Sequence, residues 1–535
     1  MLNIDAVRTV PELLAEHAHA GQDKVAFVDD VTAVTYGDLD TRTSRLAGHL
    51  LAAGLKPQER VLMYLDNSVE VAEGYLAAPR SGLVTVCANP AAPAAELAHI
   101  LTDSAARAVL TDQEHLDTVL ELVPGTDVDL VIVTGAAPVD AGAVDGSVRI
   151  RRYDDLMAVE PDVQSPDSTG LDEWCWMLYT SGTTGRPKGV KLTQRSCLWV
   201  VAACWSTIAD LGPDDLVLSP LPLFHSYALV LCVLAIVATG ASERILRSFS
   251  PSKVLDLLAN EPVTFFPGVP TMFRYLIDRS PTDRIEAPHL RLCVSAGANM
   301  SADLNAEFEE FAQVRLLDGY GITETSTMVT LNSPTASRVL GSCGMPLPGL
   351  TVRLVDPASL KDVAPGDEGE IWVQGPNVML GYHNLDGATA DVLTNGWYRT
   401  GDLGQRDEHG FLRISGRVKE LIIRGGENIY PAEVEAVLQR CDGVADAAVV
   451  GAPHPMLGEV PVAYVVPPDG SALDHEAVLS ACRKDLSYFK VPAELIEVNE
   501  IPRTGSGKIR RFQLTKNRPE LPKDSGTPQK MEASR

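Results

Sequence analysis

The sequence predicts an α/β protein: a large N-terminal domain of two layered α/β subdomains plus a β-rich subdomain, followed by a small α+β C-terminal domain. Three observations carry this expectation. Short apolar runs alternate with helical patterns from about residue 20 to 165 and again from Leu171 to Leu340, as expected where helices layer on a sheet. After Leu340 glycine, proline and short β-rich runs take over. Past Gly416 a different pattern of strand, helix and strands fills about 100 residues, enough for one small domain.

In the first subdomain Arg60 to Leu65, Ala106 to Thr111 and Leu130 to Thr134 read as buried strands, and Thr41 to Ala53 as an amphipathic helix. In the second, Val263 to Phe266, Leu290 to Ser295 and Val314 to Leu317 are strand-like. Ser301 to Ala312 is helical, with Leu304, Phe308 and Phe311 on one face. Ala228 to Ala241 is the longest apolar stretch; it is too short to span a bilayer and reads as a buried helix. Thr351 to Val355 and Glu370 to Val373 supply the β-rich part. In the last domain Leu421 to Ile423, Ala447 to Val450 and Val462 to Val466 are strands, and Pro431 opens a helix. The expected boundaries are 1–416, a hinge at 417–419, a small domain at 420–516 and a disordered polar tail at 517–535.

Bulk composition narrows the function. The 535 residues exceed one ordinary core, and 45% apolar with 22% charged residues is typical of a globular protein. A net charge of −26 argues against nucleic acid or an anionic membrane as partner. Nine cysteines without a C-x-x-C pair suggest neither a zinc site nor a disulfide framework. With Asp5, Arg8 and Glu12 where a secretory leader needs an apolar run, a cytoplasmic protein without stable membrane insertion is expected.

The most specific motif is YTSGTTGRPKG, Tyr179 to Gly189, after the strand-like run Trp174 to Leu178. Three glycines allow tight turns that aim backbone N–H groups at one anion. Thr180, Ser181, Thr183 and Thr184 flank Gly182 with hydroxyl donors, and Lys188 adds a point charge for phosphate oxygens. The spacing is not G-x-x-x-x-G-K-[ST]. A polar surface turn between two strands is the plainer alternative.

This string resembles the signature loop of the adenylate-forming superfamily: acyl- and aryl-CoA synthetases, peptide-synthetase adenylation domains and beetle luciferases. The resemblance continues in order from Thr35 (TYGDL) to Lys508, closest in motifs to fatty acyl- and 4-coumarate-type CoA ligases. It implies that the loop holds the β- and γ-phosphates of ATP. SAGANM, with Gly297 and Ala298, resembles the segment lying against adenine, although a strand-to-helix turn also needs small residues. In DGYGITET the resemblance places Asp318 near the adenine amino group and Tyr320 on the ring, between Gly319 and Gly321. It puts Thr323 at the α-phosphate and Glu324 on Mg²⁺. YRTGD implies that Asp402 binds ribose; a turn-capping Asp is the alternative. GRVKELIIRGGENIYP implies that Arg417 contacts ribose or phosphate and that Lys419 is the hinge. Gly425 and Gly426 would line a pantetheine channel, or form a simple hairpin. IPRTGSGKIRR carries Lys508, whose implied role is to bridge the carboxylate and the α-phosphate.

The resemblance implies an enzyme with ATP, Mg²⁺ and CoA as cofactors and co-substrates: acyl-adenylate formation, rotation of a mobile small domain, then thioester formation. PLFHSYAL resembles the acyl-pocket segment, with His225 at the junction of carboxylate and thiol channel, or packed on Phe224. Trp199, Phe224, Tyr227, Gly297, Met328 and Val329 are candidate pocket walls. No Asp lies between Pro220 and Thr239 to pair with a substrate ammonium, so an uncharged acyl or aryl tail is expected. CoA and a carrier-protein phosphopantetheine remain the alternative acceptors, and monomer and homodimer both stay open.

Overall fold

Aliphatic side chains dictate how the strands sit. Val61 and Met63 pack into one hydrophobic cluster while Leu62 and Tyr64 pack into another. The strand Arg60–Tyr64 is therefore covered on both faces, as central parallel strands are. The computed structural model describes residues 2–135, 148–180, 186–425, 427–468, 473–503 and 509–516; the tail expected at 517–535 lies outside them. The chain divides into two units, Met1–Ser415 and Gly416–Arg535. It is α/β, with a large N-terminal and a small C-terminal part.

Two large sheets organise the first unit. The eight-stranded sheet runs Gly381–Tyr382, Lys188–Thr193, Trp174–Thr180, Val84–Cys87, Arg60–Tyr64, Ala106–Asp112, Leu130–Thr134, Arg149–Arg152. The nine-stranded sheet runs Met345–Pro346, Thr330–Leu331, Arg315–Tyr320, Leu292–Ser295, Phe265–Gly268, Leu216–Ser219, Ser242–Ile245, Val25–Val28, Ala33–Thr35. From Arg315–Tyr320 to Val25–Val28 its neighbours are all parallel. The carboxyl ends of these strands gather at one edge, where open α/β sheets bind ligands. A smaller sheet holds Thr351–Val355, Gly369–Gln374, Trp397–Arg406 and Leu393–Thr394, the β-rich part.

One core joins the two large sheets. Buried polar groups on it are satisfied across the layers: the Trp176 indole donates to Tyr75 O at 3.1 Å, and the Tyr75 hydroxyl to Leu223 O at 2.6 Å. A second core lies on the far face of the nine-stranded sheet. There Phe266, Phe273 and Phe308 meet edge to face, each contributing about 1.5–3 kcal/mol through burial of its ring.

Two expectations about helices change. The helix expected from Thr41 spans Tyr36–Ala52, because Thr35 and Asp38 exchange side-chain and backbone hydrogen bonds at its start. The apolar stretch Ala228 to Ala241 is buried but not one regular helix. A π-helical segment, Leu229–Leu234, separates short α-helical pieces and lies against a second one, Val201–Ser206. Among the described residues no helix is long and apolar enough to cross a membrane. All nine cysteines are free thiols.

In the second unit, Asp446–His454 pairs antiparallel with Gly458–Val466, which also pairs with Ile422–Arg424 and, in parallel, with Glu494–Glu497. Helices Pro431–Leu438 and His475–Asp485 cover one face of this sheet.

Candidate active site

Strands Trp174–Thr180 and Lys188–Thr193 are antiparallel, with Thr180 opposite Lys188. The glycine-rich string thus connects two neighbouring strands and returns Lys188 beside Thr180. Ser181, Gly182, Thr183 and Thr184 lie outside the described residues. Lys188–Thr193 pairs on its other side with Gly381–Tyr382, and the Lys188 ammonium sits 4.8 Å from the centre of the Tyr382 ring.

The strand Arg315–Tyr320 delivers Asp318 and Tyr320 to the edge of the nine-stranded sheet. The Tyr320 hydroxyl donates to Asp402 Oδ2 at 2.6 Å, so the expected ring-binding and ribose-binding residues meet directly. Asp402 lies within the strand Trp397–Arg406 rather than in a turn. Asp318 is buried, and its Oδ1 has no hydrogen-bond partner. Burial pushes its carboxyl well above the usual range. Ser295, opposite Asp318 in the neighbouring strand, is buried with an equally unpartnered hydroxyl. Two unfilled polar atoms at one sheet edge fit a ligand that supplies hydrogen bonds there.

The loop after Tyr320 is tightly folded. A Cβ on Gly321 would lie 1.3 Å from Thr327 O, so only glycine fits. Ser326 and Thr327 both have positive φ, 51° and 88°, strain of about 1–3 kcal/mol each that the surroundings must hold. This folding presents Glu324, whose Oε1 accepts from the Tyr382 hydroxyl at 2.9 Å. Thr323 Oγ1 lies 3.4 Å from Ser226 Oγ, which brings the α-phosphate candidate and the acyl-pocket segment together. Gly297 has φ of 85° in the turn after Ser295, followed by Ala298.

Along the acyl segment Phe224 and His225 lie ring to ring at 4.4 Å. Tyr227 is buried, stacked on Trp205 at 6.0 Å, and donates to Val294 O at 3.2 Å. Trp199 donates to Pro348 O at 3.2 Å. Met328 and Val329 were expected to wall one pocket; both are fully buried, but in different cores, Met328 between the sheets and Val329 with the β-rich subdomain. Alternation along an extended segment sends neighbours to opposite sides.

Comparison with known proteins settles the family. The model of AMP-binding enzymes matches residues 14–383, and that of the AMP-binding enzyme C-terminal domain matches residues 433–508. The chain belongs to the AMP-binding enzyme family. It is 40% identical over 524 residues to a naringenin synthase of Pestalotiopsis fici, covering 95% of this chain but only 19% of that protein. It is 37% identical over 487 residues to a feruloyl-CoA synthase of an Amycolatopsis species, covering 90% of this chain and 94% of the relative. The structure of ATP-bound MatB from Rhodopseudomonas palustris matches with a TM-score of 0.84 and 32% identity, over 95% of this chain and 98% of that one.

The second unit of this AMP-binding enzyme holds the remaining candidates. Arg417 ends the strand Leu412–Arg417, and Lys419 sits in the short 3₁₀ turn Val418–Glu420. Gly425, φ 60°, turns the hairpin between Ile422–Arg424 and Glu427–Ile429. Gly426 and Lys508 lie outside the described residues. Arg511, at the end of the IPRTGSGKIRR motif, is committed to structure: it pairs with the buried Glu435 at 2.6 Å. Sequence reasoning missed Tyr382, which touches both Lys188 and Glu324. Its only local signal is a Gly-Tyr pair, and strand pairing alone carries it to the site.

Proposed function

We propose that this AMP-binding enzyme is an AMP-forming acid–thiol ligase for an uncharged acyl or aryl acid, with CoA as acceptor. The observation that carries this reading is the buried, unpartnered Asp318 Oδ1 beside the Tyr320–Asp402 pair. Lys188 and Glu324, both on Tyr382, add a cation and a carboxylate. In the first half-reaction the carboxylate attacks the α-phosphorus of ATP, giving R–CO–AMP and pyrophosphate. In the second a thiol displaces AMP, giving the thioester and releasing a proton.

Asp318 accepts from the adenine amino group, Asp402 from the ribose hydroxyls, and Lys188 with Thr180, Ser181, Gly182, Thr183 and Thr184 binds the β- and γ-phosphates. Thr323 positions the α-phosphate, and the Gly297–Ala298 and Gly319–Gly321 backbones flank the base. Mg²⁺, when bound, neutralises phosphate charge, and Glu324 is the carboxylate placed to hold it. Lys508 steadies charge on the attacked phosphate. The small unit then turns about Lys419, with Arg417 on the nucleotide and Gly425–Gly426 beside the pantetheine arm. His225 stands where carboxylate and thiol meet, and Phe224, Tyr227 and Trp199 enclose the tail. Free thiols suit a cytoplasmic setting, and the feruloyl-CoA synthase relative supports an aryl acid.

The test is pyrophosphate release over a panel of fatty, branched and hydroxycinnamic acids, with and without CoA. Thioester and AMP should appear only with CoA. A rise with a phosphopantetheinylated carrier protein and none with CoA would refute the acceptor. Lys508→Ala should cut adenylate formation by about 10²–10³-fold while a supplied acyl-adenylate is still thiolysed.

A further inference from the structure

Tyr382 is fixed on every side. Its strand is held to the lysine strand by pairing of Tyr382 with Val190, and by Leu380 N–H to Lys191 O at 3.0 Å and His383 N–H to Gly189 O at 2.7 Å. Its own N–H donates to Thr389 Oγ1 at 2.9 Å. Gly381 permits the approach to Thr389, since a Cβ there would lie 2.7 Å from Thr389 Cγ2. The same segment grips the other partner: Met379 N–H donates to Glu324 O at 2.9 Å. A buried ring thus offers one face to the Lys188 ammonium, at 4.8 Å from its centre, and its hydroxyl to Glu324 Oε1, at 2.9 Å.

The arrangement has an electrostatic logic. Were a lysine and a glutamate on one tyrosine to pair directly instead, each would cancel the charge the other offers a ligand. Among the described residues Lys188 makes no ion pair; the ring's negative face holds the ammonium instead. Glu324 receives a hydrogen bond on one oxygen, and Oε2 is left over. Neither interaction uses up the lysine's N–H donors or that second oxygen.

We propose that Tyr382 is a positioning residue that holds Lys188 and Glu324 apart and correctly aimed, the first as a phosphate-binding cation and the second as a metal-binding carboxylate. The proposal rests on the reading that this site takes Mg·ATP. It makes the two halves of the tyrosine separable: the ring serves Lys188, the hydroxyl serves Glu324.

Calorimetric binding of ATP to the full chain, with and without Mg²⁺ and without acid or CoA, tests this. Tyr382→Phe keeps the ring, so metal-free ATP should bind as to the parent, while the Mg²⁺ concentration for half-maximal tightening rises about three- to tenfold. Tyr382→Leu loses both contacts, so metal-free ATP should also bind about tenfold more weakly. Adding Glu324→Gln to Tyr382→Leu should restore most of that loss, because Lys188 then has no carboxylate to pair with. An unmoved Mg²⁺ midpoint in Tyr382→Phe, or no rescue by Glu324→Gln, overturns the proposal. Failure of the parent protein to bind ATP at all would instead remove the nucleotide reading beneath it. Melting temperatures of each variant separate a folding defect from a positioning one, and Tyr382→Phe carries the test should Tyr382→Leu not fold.

Discussion

Two places on the large sheets of the first unit contrast: the crevice where the strand order of the eight-stranded sheet reverses, and the carboxyl end of Arg315–Tyr320 in the nine-stranded sheet. In the eight-stranded sheet, Arg60–Tyr64 pairs with Val84–Cys87 on one side and Ala106–Asp112 on the other. The strand order therefore reverses there, the kind of position where α/β sheets form crevices. A cleft of about 500 Å³ does open at that point, lined by Asp29, Asp66, Asp112, Glu114 and Arg247. Three of its acids are already engaged: Asp66 by Arg247 at 2.7 Å, Asp112 by His115 at 2.6 Å, Asp29 by Val31, Thr32 and Val69 N–H groups; the Ser68 hydroxyl on its wall is buried without a partner. The nine-stranded sheet offers Asp318 and Ser295 with polar atoms unpartnered. The difference teaches that a crevice at a strand reversal is not enough. The nine-stranded edge is marked by a buried carboxyl oxygen that the protein leaves for something else at the end of a strand, at a cost of about 1–3 kcal/mol.

The comparison breaks most severely at Gly321. Gly321→Ala forces the Thr327 carbonyl to move, with Glu324 on the same loop. Adenylate formation should fall at least about hundredfold, with about 2 kcal/mol or more of stability lost, measured by pyrophosphate release and chemical unfolding. Asp318→Ala should separate the two quantities. ATP should bind about ten- to hundredfold more weakly while the protein gains about 1 kcal/mol, since an unsatisfied buried acceptor disappears. A variant that lost both together would show that Asp318 is structural.

Much of this fold was legible because its strands are apolar runs flanked by turn residues. Arg60–Tyr64, Leu130–Thr134 and Thr351–Val355 are placed within a residue of expectation. The stretch after Ala228 was not legible in detail: Leu229 to Val233 is apolar at every position, so no periodicity distinguishes a π-helical turn from an α-helical one. Site motifs were legible where chemistry is packed into a few consecutive residues, as in DGYGITET. Tyr382 was not, because its partners Lys188 and Glu324 are distant in sequence and meet it only through strand pairing. Nor does sequence distinguish the unpartnered Asp318 from the satisfied Asp66; both are acids at the end of an apolar run.

Glu243 sharpens the rule from the other side. It lies within the strand Ser242–Ile245 opposite Val217, fully buried, with both carboxyl oxygens unpartnered, and not at a strand's carboxyl end. Burial raises its carboxyl well above the ordinary range. The folded state therefore keeps a proton that the unfolded state releases above its usual pKa near 4.5. Stability contributed there is present at low pH and falls by about 1.4 kcal/mol per pH unit as pH rises toward the folded value. Glu243→Gln should remove that slope, stabilising the protein at pH 8 and changing little at pH 4.5, with adenylation unaffected. Unfolding curves with the parent's pH slope would mean the carboxyl is not carrying the proton.

The smallest effect belongs to the satisfied cleft. Asp66→Asn removes the charge facing Arg247, but Arg247 is 61% exposed and keeps Glu114 as a second partner. The pair is solvent-screened, so the loss should stay within about 0.5 kcal/mol, and ATP binding and pyrophosphate release should match the parent. If Asp66→Asn instead weakened either reaction, the cleft would be part of the machinery. Satisfied carboxylates at a strand reversal could then no longer be read as structure alone, and the contrast between the two sheets would fail at the point where it is easiest to measure.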